Sequence, residues 1–262
     1  MLCGDDGTAA FNNLRLKQIS IPDQIRMSTK ILNQDFSLQN RISAFIQLLL
    51  AYAFLYNPWT SFPYTFIIII AAVITLVYLQ DRNLQGIGLS ASSNFLDTLK
   101  TVLIAFIIIE PIVDFIIQPL VNKLTGEVVD YSVFDFIAHD LSQYFKYLFF
   151  IIISAGFGEE ILFRGFVYRQ INIVLPNFKG KILLIIVLSA ILFSIPHWYQ
   201  GPGGVMITFI FGLAFATLYV KTNFNLLATI LLHSLVDGLF ITLAYFDKLD
   251  YYQLGNDLFF GF

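Results

Sequence analysis

Apolar positions in this chain fall in long continuous runs and do not alternate with polar ones. The runs cover Ile42–Tyr56, Tyr64–Leu79, Leu99–Val121, Tyr147 to about Phe157 and beyond, Ile182–Ile195, Val205–Val220 and Phe224–Phe246. A helix needs ~20 residues to cross ~30 Å of hydrocarbon. Continuous runs select helices over a membrane barrel, whose strands alternate inward and outward with period two. The pattern predicts an all-α, polytopic transmembrane bundle of about seven helices, the shorter runs being extended by flanking Tyr, Trp and Asn. A further element at Leu254–Phe262 is too short to span and is predicted to be an interfacial eighth helix. Residues 1–40 are polar, carry Asp5, Asp6, Arg15, Lys17, Arg26 and Lys30, and lack the apolar core of a secretion signal. They read as a cytoplasmic tail ahead of a single transmembrane domain, 41–262.

Composition supports a bilayer as solvent. Of the 262 residues 57% are hydrophobic and 13% charged, against roughly 25% charged in an ordinary soluble domain. One core of this length could not hide 28 Phe and 13 Tyr from water. The net charge of −3 offers no basic excess for nucleic-acid phosphates, so nucleic acid is not expected as a partner. The lone Cys3 can build neither an intramolecular disulfide nor a thiolate metal site.

Positive charge sets the expected orientation. Arg15, Lys17, Arg26, Lys30, Arg41, Arg82, Lys100, Arg164, Arg169, Lys179, Lys181 and Lys221 fall on one set of loops; Lys123, Lys146 and Lys248 fall on the other. The positive-inside rule then places the N-terminus in the cytoplasm, and the cell membrane is the expected location.

Charges within the runs are costly, so they point to chemistry. Glu159 and Glu160 close an apolar run, and Arg164 follows Glu160 by four residues. That spacing predicts an ion pair on one helix face, with Glu159 turned about 100° away and free for another task. The alternative is a solvated pair at a helix end. Phe193 and His197 share a face at the end of the fifth run, where Pro196 weakens the backbone ladder; the alternative is a histidine in the interfacial aromatic belt with Trp198 and Tyr199. His233 and Asp237 are four apart deep in the last run. Glu110 and Asp114 flank Pro111 in the third run, and their role is left open among a kink, a supporting network and an ion path. His139, in a loop with Asp135 and Asp140, is expected to be solvated.

Two histidines, two or three carboxylates and one arginine on separate helices can build a hydrolytic site. A carboxylate can act as general base towards water, with a histidine sharing the proton. The same groups can ligate a divalent metal such as zinc, and Glu159, His197 and His233 are the candidates. The residues do not choose between these. No His-Glu-x-x-His helix, Gly-x-Ser-x-Gly elbow or catalytic-cysteine context occurs, and Gly201-Pro-Gly-Gly204 lacks the lysine of a phosphate loop.

Taken in order, Glu159-Glu160-x-x-x-Arg164, Phe193-x-x-x-His197 and His233-x-x-x-Asp237 resemble the CAAX prenyl endopeptidase type II and bacteriocin-processing family of intramembrane proteases, also called the Abi family. The resemblance spans about residues 147–246. It implies that Glu159 and His197 activate water, that His233 and Asp237 support the oxyanion, and that Glu160, Arg164 and Phe193 are supporting groups. The family commonly has Asn where this chain has Asp237, and an ionised carboxylate only accepts hydrogen bonds. The implied substrate is a membrane-associated peptide or lipid-anchored protein, such as a prenylated CAAX tail or a bacteriocin-like leader, met among membrane lipids. Two other readings are a catalytically silent scaffold or bacteriocin-immunity protein of the same fold, and a proton-coupled transporter. For Glu159 and His197 to meet, the fourth helix must continue past Phe157 through Val167 and Ile171, and that longer helix is expected.

Overall fold

The computed structural model describes residues 34–89 and 94–259. Most of the expected tail, residues 1–33, and the last three residues of the expected terminal element lie outside them. Among the described residues the fold is helical, without strands, and eight helices follow one another: α1 Leu38–Phe54, α2 Tyr64–Asp81, α3 Phe95–Thr125, α4 over residues 141–174, α5 Lys181–Ser194, α6 Gly201–Lys221, α7 Leu226–Tyr245 and the short α8 Leu254–Phe259. Local signals set several of the starts. Ser37, Asn94, Asp140 and Asn225 each precede a helix and accept a hydrogen bond from one of its first free N–H groups. The Ser37 cap begins α1 four residues before the apolar run at Ile42.

Four stretches are long and apolar enough to cross a membrane: Tyr64–Asp81, Phe95–Thr125, Lys181–Lys221 and Leu226–Tyr245. The third doubles back at the 3-10 turn Ile195–Gln200, so that Gly212 of α6 lies against Ala190 of α5; a Cβ at Gly212 would stand 3.0 Å from the Ala190 Cα. The outer surface is rich in Leu, Ile and Phe, such as Leu50, Ile104 and Ile107, while Glu159, Glu160, Arg164 and His233 are buried. This inversion of the water-soluble pattern is that of an integral membrane protein.

The fourth helix is long, as expected, and extends past Val167 and Ile171. It runs without interruption from Leu141 to Val174, with π-type turns over Ile151–Glu159 and Ile161–Val167. Such wide turns redirect side chains within a helix and are common at functional sites. Small residues let α4 approach its neighbours closely. A Cβ on Gly158 would come within 2.7 Å of the Phe66 Cβ on α2, and Gly156 faces Ser234 on α7 in the same way.

The directions of the helices follow from contacts at their ends. Asn225, capping α7, donates to Thr98 near the start of α3 at 3.0 Å, and the Leu226 N–H donates to the Gly88 carbonyl. The His139 N–H, just before α4, donates to the Tyr245 carbonyl at the other end of α7. Helices α3 and α7 therefore run in parallel, and α4 runs against them. His139 is exposed, in agreement with its expected solvated position.

Candidate active site

The π-turned stretch of α4 carries the glutamate pair into the centre of the bundle. Glu160 Oε1 accepts from Arg164 Nη1 at 2.8 Å, and both side chains are almost fully buried, 0% and 1% exposed. The same oxygen lies 2.8 Å from His233 Nδ1 on α7. Glu160 thus joins an arginine on its own helix to an imidazole from another, and burial makes each bond strong and costly to break. Spacing along α4 predicts the arginine contact. Nothing in the sequence separates Glu160 from Glu159 as the partner of His233, because that contact spans 73 residues.

His233 Nε2 faces Asp237 Oδ2, one helical turn along, at 3.4 Å. Each nitrogen of this imidazole therefore looks at a carboxylate. A neutral ring carries one N–H and can donate to only one of them; donating to both requires the doubly protonated ring.

Glu159 is 8% exposed, and its Oε2 has no hydrogen-bond partner among the described residues. It lies within electrostatic reach of His233, Asp237, Glu160 and Arg164. The sequence expectation that one carboxylate is held by arginine while its neighbour points elsewhere matches this placement.

His197 sits in the 3-10 turn that ends α5, half-buried, with its Nδ1 3.0 Å from the Phe193 carbonyl. An N–H at Nδ1 donates to that carbonyl and leaves the Nε2 lone pair free to accept. Phe193 and His197 share a face as their spacing predicts, with ring centroids 5.3 Å apart, and His197 stacks on Tyr199 at 6.1 Å.

The Phe193 ring is the hub between the two histidines. It also contacts His233 at 5.9 Å, Phe163 at 5.2 Å, Phe215 at 6.4 Å and the Arg164 guanidinium carbon, 4.0 Å from its centroid. Phe215 on α6 completes the enclosure, 5.0 Å from His233 and 5.1 Å from the guanidinium carbon. A cation over an aromatic face in a desolvated site gains about 2 kcal/mol, and here the contact also sets where both imidazoles stand. Phe215 carries no motif of its own and is legible only from the folded bundle.

For a divalent ion, His233 Nδ1 is taken by Glu160, and Glu159, His197 Nε2 and the His233 Nε2 that faces Asp237 at 3.4 Å remain as possible donors. Among the described residues no group of three or more His, Cys, Asp or Glu side chains is arranged to hold a metal. A zinc site needs at least three protein ligands, so the side chains as placed do not fit one.

Comparison with known proteins adds one finding. Residues 141–239, which contain the whole of this constellation, match the family model described as type II CAAX prenyl endopeptidase Rce1-like. Neither the curated proteins nor the solved structures include a match to the chain. The matched segment begins at the first residue of α4 and ends within α7, two residues after Asp237, and so takes in all three motifs on which the sequence resemblance rests. This match over residues 141–239 supports the resemblance of the motif-bearing segment to the type II CAAX prenyl endopeptidases.

Proposed function

We propose that the protein is an intramembrane endopeptidase that hydrolyses a peptide bond in a membrane-associated peptide or lipid-anchored protein, with Glu159 as the base that activates water. The observation that carries this reading is the Glu159 carboxylate: buried, with one oxygen unpartnered, within electrostatic reach of His233, whose ring and that of His197 flank Phe193. Glu160, though its Oε2 is also unpartnered, is held through Oε1 by Arg164 and His233, whereas no donor is seen on either oxygen of Glu159 among the described residues.

In this mechanism Glu159 and the His197 Nε2 lone pair accept the two hydrogens of a water molecule. Glu159 takes one proton as the oxygen attacks the scissile carbonyl carbon. The oxyanion that forms meets the Nε2–H of His233. At 3.4 Å from Asp237 that group is only loosely held and can turn to the new charge, while Glu160 fixes the other side of the ring. The proton on Glu159 then passes to the leaving amine as the C–N bond breaks. Asp237 faces His233 Nε2 as an acceptor and is not required to donate.

The substrate is proposed to be a prenylated CAAX tail or a leader peptide at the membrane surface, and the membrane is proposed to be the cell membrane with the N-terminus in the cytoplasm. Purified protein in liposomes, offered a farnesylated CAAX peptide, the same peptide without its lipid, and a double-glycine leader peptide, tests this. Cleavage of at least one, undiminished by 1,10-phenanthroline, supports the reading. Cleavage of none of them favours a catalytically silent scaffold, and loss of cleavage on chelation contradicts the metal-free step.

A further inference from the structure

A second set of buried polar groups lies outside the hydrolytic cluster. Glu110, Asp114, Gln118 and Asn122 follow one another at four-residue spacing along α3, and all four are buried, at 3% exposure or less. In a regular α-helix such a spacing drifts by ~40° per step; the wider π-turn Val113–Ile117 in the middle of the row offsets that drift, and the four stay on one inward face. Pro111, which removes one backbone donor, immediately precedes this turn.

Each of the four has a side-chain atom without a hydrogen-bond partner among the described residues: Glu110 Oε2, Asp114 Oδ2, Gln118 Nε2 and Asn122 Oδ1. Buried polar atoms left dry are costly. Four in one row, evenly spaced over the second half of α3, are not scattered packing defects.

The row has two defined ends. Thr98 and Asn225 tie the parallel helices α3 and α7 together, and twelve residues further along each lie Glu110 and Asp237. Equal steps of 1.5 Å put these two carboxyl groups at one depth, ~18 Å from the tie. Glu110 is within electrostatic reach of Asp237. At the other end Asn122 Nδ2 donates to Asn256 Oδ1 of α8 at 3.4 Å, beside the loop that leads into α4. Tyr251, in the turn before α8, bonds to Asp114; burial and the Asp114 and Glu110 carboxylates push its hydroxyl up to about 12, so it stays a donor.

We infer that Glu110, Asp114, Gln118 and Asn122 line a water-filled seam that leads from the α8 face of the bundle to Asp237. Its ligand is water, held by two carboxylates followed by two amides that offer each molecule the two or more polar partners a buried water needs. A hydrolase enclosed by lipid-facing helices consumes one water per bond cleaved, and the seam supplies it from the face opposite the Thr98–Asn225 tie. That the water is used in catalysis rests on the function proposed above. That the seam is wet does not.

Thiol accessibility tests the seam. Cys3 is first replaced by Ser, and Gln118→Cys, Asn122→Cys, the lipid-facing Ile116→Cys and the loop residue Val133→Cys are each treated with a charged methanethiosulfonate in right-side-out and inverted membrane vesicles. Gln118→Cys and Asn122→Cys should react an order of magnitude faster than Ile116→Cys, and only in the vesicle orientation that exposes Val133→Cys. A Gln118→Cys rate no greater than that of Ile116→Cys, or reaction from the opposite face, overturns the inference. A second measurement uses the unaltered chain: radiolytic hydroxyl labelling should modify the buried Tyr252, which borders Glu110 and Asp114, as readily as an exposed tyrosine. An unmodified Tyr252 contradicts the seam. Neither readout depends on turnover, so a wet seam in a chain that cleaves nothing sinks the proposed function alone, and a dry one in an active protease sinks this inference alone.

Discussion

Glu160 Oε1 stands 2.8 Å from both Arg164 Nη1 and His233 Nδ1, so one buried oxygen fixes the position of a charged group on its own helix and of an imidazole on another. Removing it leaves Arg164 as an uncompensated buried cation. Glu160→Ala is expected to cost ~3–5 kcal/mol, the penalty for breaking a buried pair from one side. Thermal unfolding in detergent checks this. Glu160→Gln keeps an acceptor oxygen and should lie between Ala and wild type, whereas Glu159→Gln, which breaks no hydrogen bond seen among the described residues, should unfold close to wild type.

Phe193 contacts Arg164 and both imidazoles through one ring. Phe193→Ala should lose ~3–5 kcal/mol as a large buried side chain removed from a packed site. Phe193→Leu restores much of the volume but not the aromatic face, so it should recover stability more than turnover. Comparing unfolding temperature with kcat for the two variants separates filling from positioning. Equal recovery of both would contradict the positioning role.

Asp237 lies 3.4 Å from His233 Nε2 and is part-exposed. Asp237→Asn retains an acceptor oxygen for that nitrogen and adds an N–H that an oxyanion can use. It should keep turnover within about a factor of ten of wild type. Asp237→Ala leaves His233 held from one side only and should lose ~10²-fold, the scale of a removed oxyanion-site group. If Asn were as damaging as Ala, the negative charge itself would be required.

Gly158 lies where α4 meets α2, with no room for a side chain against Phe66. Gly158→Val should destabilise by ~1–3 kcal/mol through overpacking, with the loss appearing in unfolding as well as in turnover. The position is one residue before Glu159, so an active but destabilised variant would show that the π-turn tolerates the shift.

Much of this arrangement can be read along the chain. Long apolar runs mark the helices, and the four-residue spacings of Glu160 with Arg164, Phe193 with His197 and His233 with Asp237 mark local faces, since neighbours on a helix are set by its period. The need for Glu159 and His197 to share a depth argues for a fourth helix reaching past Ile171, and α4 reaches Val174. Contacts between helices are not legible in the same way. The Glu160 bond to His233, the place of Phe215 over both His233 and Arg164, and the π-turns of α4 depend on how separate helices pack, which spacing within one helix does not encode. The role of the Glu110 and Asp114 pair stays open at the sequence level for the same reason: the row gains its meaning from Asp237 at one end and Asn256 at the other.

The central claim is that Glu159 activates water for peptide hydrolysis. Its most direct test is single-turnover cleavage of whichever of the three peptides wild type cuts, measured for wild type and Glu159→Gln in the same liposomes and read by mass spectrometry of the released fragment. The account predicts cleavage by wild type and a loss of at least ~10²-fold in the variant, the low end for a general base, with unfolding temperature unchanged. Cleavage by Glu159→Gln at the wild-type rate would contradict it.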